Sequence, residues 1–98
     1  QYLIVAYDAQ DKDAPKRRLE AREAHLALIA KYKAAGHMKM GAALLDEGGA
    51  MVGSTLIVDF DTEEALESWL DEEPYLLQKV WEDVQITPCK IAPSFVNG

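Results

Sequence analysis

Ninety-eight residues, 49% of them hydrophobic and 28% charged, make one domain's worth of chain over 1–98, with apolar content for one modest core and too much of it for disorder. The net charge of −7 argues against nucleic acid or an anionic membrane surface as the main partner. A lone cysteine, Cys89, excludes an internal disulfide and suits a reducing, cytoplasmic compartment, and no apolar run approaches the roughly 20 residues that span a bilayer.

No signal peptide is evident. Gln1 stands directly before an apolar run, so an initiator Met or short leader is expected ahead of it. Tyr2–Tyr7 (YLIVAY) reads as a central strand buried on both faces. A polar loop, Asp8–Ala14, leads to Pro15, which suits the first turn of a helix. Strong helix formers continue to Ala35, and Gly36 supplies the stop. His37–Leu45 reads as a second strand, Asp46-Glu47-Gly48-Gly49 as a hairpin turn, and Met51–Phe60 as a third strand. Asp61-Thr62-Glu63-Glu64 looks like an N-cap followed by an acid at the third helical position, opening a helix to about Asp71. Pro74 restarts a short helical turn over Tyr75–Val80, Val84–Cys89 is the fourth strand, and the remainder is a tail.

The order β-α-β-β-α-β is the ferredoxin-like pattern, an α+β fold with an antiparallel four-stranded sheet and both helices on one face. The third strand is apolar on both sides: Val52, Leu56, Val58 and Phe60 share one side with Ser54, and Met51, Thr55 and Ile57 lie on the other. Helices cover only one face, so the second must be buried against something, and a two-fold homodimer is the simplest expectation.

Charge is divided along the chain. Residues 1–40 carry eight bases and five acids, whereas 41–98 carry two bases and twelve acids. Two helix faces of opposite sign would explain this, and so would a positive lining around an anion site. On a helical wheel of the first helix, Leu19, Ala21, Leu26, Leu28, Ile29 and Tyr32 fill one half and Lys16, Glu20, Glu23 and Lys31 the other. Arg18, Arg22 and His25, spaced i, i+4, i+7, fall as a row inside the apolar half, with Lys33 near the helix end, where it can snorkel. Arginine is rarely buried unpaired. The row therefore implies either acid partners at the sheet edge that merely fix the helix, or a solvated cleft holding a base and two anion-binding groups.

Other candidates are weaker. Strand alternation places Met38 and Met40 together as core methionines, with His37 opposite, which disfavours a soft metal site with Cys89. Asp8, Asp11 and Asp13, or Asp59, Asp61 and Glu63, lack the glycine of a calcium loop. No glycine-rich phosphate motif is present. Trp69 and Trp81 read as core or dimer anchors.

Arg18-Leu19 with Arg22-Glu23-Ala24-His25-Leu26 resembles the R-L-x-x-R-x-x-H-L signature of the YCII-related family. Gly53-Ser54-Thr55 matches its G-S-T, Glu73-Pro74-Tyr75 stands where the family usually has Asp-Pro-Tyr, and Val84–Lys90 resembles its last strand. The resemblance implies a dimeric α+β barrel whose active site pairs His25 with the acid before Pro74-Tyr75. It also implies relatives that include a dehydrochlorinase acting on a chlorinated hydroquinone, within a superfamily that includes muconolactone isomerase and cofactor-free monooxygenases. Two departures stand out: the acid is Glu73 rather than Asp, with Asp71 as the alternative, and the Asp46–Ala50 hairpin is short.

A His25–Glu73 pair suits general acid–base catalysis, with Arg18 and Arg22 binding developing negative charge, Ser54 donating from the sheet floor and Tyr75 in the substrate-binding set. The expected chemistry is proton abstraction beside a carbonyl, isomerisation or elimination, with neither metal nor organic cofactor. A non-catalytic small-molecule-binding or accessory dimer uses the same groups without turnover.

Overall fold

The computed structural model describes residues 1–96 of the chain. Its elements are β1 (Tyr2–Asp8), α1 (Ala14–Ala34), β2 (Met38–Leu45), β3 (Met51–Val58), α2 (Glu63–Glu72), α3 (Pro74–Leu77), β4 (Trp81–Pro88) and α4 (Pro93–Val96). The sheet order is β2-β3-β1-β4 and every pairing is antiparallel, which is the ferredoxin-like α+β arrangement expected from the order of elements.

Local chemistry sets most boundaries. α1 closes in a Schellman motif: the Gly36 N–H donates to the Lys33 carbonyl, the His37 N–H to the Tyr32 carbonyl, and Gly36 takes φ 88°. The hairpin closes with the Asp46 N–H donating to the Ala50 carbonyl, while the Asp46 carboxylate accepts from the Gly48 and Ala50 N–H groups. At α2 the cap is Thr62, whose hydroxyl accepts from the Ala65 N–H. The third helical position is therefore Ala65, and the expected acid there is absent. β4 begins at Trp81, three residues before the expected Val84, and the expected tail contains α4. Pro88 ends β4 on the sheet edge, where a missing N–H is harmless.

The core lies between the sheet and α1 to α3. Ile4, Ala6, Leu56, Val58 and Phe60 pack with Ala21, Leu66, Trp69, Tyr75 and Trp81. On the other face, register groups Leu3, Val5 and Tyr7 with Thr55, Ile57 and Met40. These side chains are half-buried or exposed in the single chain, so β1 is central yet fully buried on one face only. Gly53 sits where β1 and β3 approach closely, and a Cβ there would overlap the Ala6 carbonyl oxygen.

Two expectations about side-chain direction fail. β2 steps register between Met38 and Met40, so Met38 joins the core opposite Val58 and Met40 turns to the other face opposite Ile57. On α1 the buried stripe runs through Ala14, Arg18, Ala21 and His25, while Leu19 is 74% exposed. The small alanines let the helix approach the sheet along the polar row, and that rotates Leu19 outward. Among the described residues no helix is long and apolar enough to cross a membrane.

Candidate active site

The site forms where α1 lies over the ends of the central strands β1 and β3 and meets the α2–α3 junction. Pro74 creates that junction. Proline disfavours helical geometry in the residue before it, and Glu73 accordingly adopts φ −68°, ψ 115°, ending α2. Its carboxylate turns inward and caps α3 by accepting from the Tyr75 N–H at 3.2 Å. Glu73 is completely buried. Asp71, still inside α2, is exposed, so the acid facing the core is Glu73.

His25 meets that carboxylate: its Nδ1 is hydrogen-bonded to Glu73 Oε1. His25 is 8% exposed; its imidazole stacks on Tyr75 with ring centroids 3.9 Å apart and meets the edge of Trp81 at 5.9 Å. Both rings lock its orientation. With Nδ1 committed to Glu73, Nε2 is the nitrogen left for chemistry. The other oxygen, Glu73 Oε2, is buried without a partner among the described residues.

Arg18 is spent internally. It is 7% exposed, and its Nη1 donates to both Asp8 carboxylate oxygens at 2.8 and 2.9 Å. Its Nη2 donates to the Gly53 carbonyl and to Ser54 Oγ, both at 3.2 Å, and its guanidinium lies over the Tyr75 ring. Burial pushes the Asp8 carboxyl above its ordinary value, and the Arg18 charge pulls against that shift. Ser54 Oγ also accepts from Trp81 Nε1 at 3.2 Å. With two donors on its oxygen, its own O–H remains to donate elsewhere. Burial likewise raises the Tyr75 phenol, so its hydroxyl stays protonated. Arg22, one turn along α1, is exposed, with no hydrogen bond or ion pair to its guanidinium among the described residues.

A cavity of about 450 Å³ opens over these groups. Arg18, Arg22, His25, Ser54 and Tyr75 line one part of it, so five of the six residues singled out in the sequence share one wall; Glu73 stands behind His25. The cationic side chains in the lining are Arg18, Arg22, Lys33 and Lys39, and no Asp or Glu is among the lining residues. The basic N-terminal half thus builds a positive pocket on a chain of net charge −7. Asp8 and Trp81 were missed as site residues. Asp8 ends β1 beside the Arg18 row, but only the sheet register brings it there; Trp81 lay outside the expected fourth strand. Among the described residues no group of three or more His, Cys, Asp or Glu side chains is placed to hold a metal ion.

The sequence profile of the YCII-related domain family matches residues 1–90. The chain is 38% identical over 95 residues to Protein YciI of Escherichia coli O6:H1, covering 90% of this chain and 96% of that protein. It is 30% identical over 95 residues to an uncharacterized protein of Haemophilus influenzae, covering 91% of this chain and 95% of the relative. Among solved structures, it resembles 5-chloro-2-hydroxyhydroquinone dehydrochlorinase from Burkholderia phenoliruptrix AC1100, in complex with 2,5-dihydroxybenzoquinone. That likeness has a TM-score of 0.79 at 18% identity over 96% of this chain and 98% of the other. An antibiotic biosynthesis monooxygenase shares the fold at a TM-score of 0.55 and 13% identity, over 95% of this chain and all of the other.

Proposed function

The chain belongs to the YCII-related domain family, and we propose that it is a single-domain, small-molecule enzyme performing cofactor-free acid–base chemistry on an anionic or enolisable substrate. The observation that carries this reading is a histidine oriented by a buried carboxylate beneath a cavity whose charged lining is entirely cationic. His25 Nε2 takes a proton from the carbon beside a carbonyl. The electron pair moves onto the carbonyl oxygen, and Arg22 and the Ser54 O–H hold the enolate that forms. Glu73 stabilises the imidazolium meanwhile. Returning the proton to a different carbon isomerises the substrate; expelling a leaving group from the adjacent carbon completes an elimination. Arg18 acts as a positioning residue, holding Ser54 and Tyr75 through the contacts it makes with Asp8 and β3.

A homodimer through the uncovered sheet face belongs to the same proposal, supported by Leu3, Val5, Ile57, Tyr7 and Met40 on that face. Light scattering should give about twice the 10.9 kDa chain mass; a monomer at micromolar concentration contradicts it. A reducing, cytoplasmic setting goes with this reading and is supported by the free Cys89.

The catalytic proposal is tested by a thermal-shift screen of hydroxylated quinones, lactones and enolisable keto acids, followed by turnover assays on every compound that stabilises the protein. Turnover lost in His25→Ala is the expected result. Ligands that bind the cavity and are never transformed would make the protein a binding module instead.

A further inference from the structure

The cavity continues well past the His25 wall. One stripe of α1, Arg22, Leu26, Ile29 and Lys33, spaced i, i+4, i+7, i+11, lines it and carries a cation at each end. Eleven residues of helix separate those cations by about 16 Å, far more than the width of one six-membered ring. Between them the walls are apolar, formed by Leu26 and Ile29 of α1 and by Met38 and Leu56 on the helix-facing side of the sheet, and Leu26 is 47% exposed. The register step between Met38 and Met40 makes Lys39 the extra residue of a bulge, a device that re-aims a side chain, and Lys39 lines the same cavity as Lys33. Neither lysine has an ion pair among the described residues.

We propose that the substrate is an elongated, amphipathic acid: its reacting end lies against Arg22 and His25, its apolar body crosses Leu26, Ile29 and Met38, and a second anionic group is held by Lys33 and Lys39. This rests on the reading of the His25 end as the reacting end. Two cations alone would attract small anions indiscriminately. The apolar stretch between cations set eleven residues apart on α1 is what sets a length.

Calorimetric titration of the full chain with α,ω-dicarboxylates of increasing length, and with the matching monocarboxylates, tests it. Affinity should peak for the diacid whose carboxylates span about 16 Å. The double variant K33Q/K39Q should weaken that diacid about tenfold, to the level of its monocarboxylate, and leave the monocarboxylate unchanged. Affinity that does not depend on length, or an equal loss for both kinds of acid, overturns the inference. Because the readout is binding, absence of turnover leaves it standing, and turnover of short acids without length preference overturns it alone. Failure of every acid to bind overturns this inference and the anionic-substrate reading together.

Discussion

Arg18 and Arg22 are the same residue one turn apart on the same helix, and the structure uses them in opposite ways. Arg18 is enclosed, bonded to Asp8, Gly53 and Ser54, and laid over Tyr75. Arg22 stands exposed at the cavity mouth, with its guanidinium unpaired among the described residues. The first matches the structural reading of the polar row, in which acids at the sheet edge fix the helix. The second matches the cleft reading. Side-chain spacing therefore identifies a row of related residues, but Asp8 at the end of β1, present beside Arg18 and absent beside Arg22 among the described residues, decides which cation is structural and which is free for a ligand.

Removing Arg18 should separate the two most sharply. Arg18→Met leaves Asp8 buried without its cation and should cost about 3 kcal/mol in urea unfolding at fixed protein concentration. The loss should shrink as pH falls, because protonating the already raised Asp8 carboxyl removes the uncompensated charge. A loss below about 0.5 kcal/mol would contradict an enclosed, structural Arg18.

His25 combines both characters, since its partner is fully buried while its ring lines the cavity. His25→Ala should therefore cost about 2 kcal/mol by stranding Glu73, as well as removing function. Glu73→Gln keeps the shape and an acceptor, so it should cost only about 1 kcal/mol while lowering any turnover by about a hundredfold. Full activity in Glu73→Gln would reduce that carboxylate to a helix cap. Arg22→Gln should change stability by no more than about 0.5 kcal/mol and weaken an anionic cavity ligand about tenfold. Unchanged ligand affinity would place Arg22 with the solvated surface.

The smallest effect lies at the exposed start of α1. Hydrogen bonds from Arg17 hold the Asp11 carboxyl at about 2, below its ordinary 3.8. Folding favours its ionised form, so this tether is intact above about pH 4 and is lost as pH falls through 2. The amides of the first turn should show faster hydrogen exchange over that window in the wild type, and no such window in Asp11→Asn.

The element order was legible because Gly36, the Asp46–Gly49 turn and Pro74 each punctuate the chain through backbone geometry. Pro74 also explains why Glu73, and not Asp71, faces His25. What stayed hidden depends on register. Asp8 reaches Arg18 only after β1 is paired, and the Lys39 bulge breaks an alternation the residue types supported. Leu19 was misplaced because a wheel ranks positions by hydrophobicity, whereas the close approach of Ala14 and Ala21 centres burial on Arg18 and His25.

Proton transfer by His25 in this cavity, as proposed, is open to measurement. It is tested most directly by incubating the purified protein in D2O with cavity ligands that carry an acidic C–H beside a carbonyl, without added metal or cofactor, and following deuterium incorporation by NMR. Wash-in at that carbon is expected with the wild type, and none above the buffer rate with a folded His25→Ala variant. Exchange at the same rate in both proteins, or tight binding without exchange in the wild type, would contradict it.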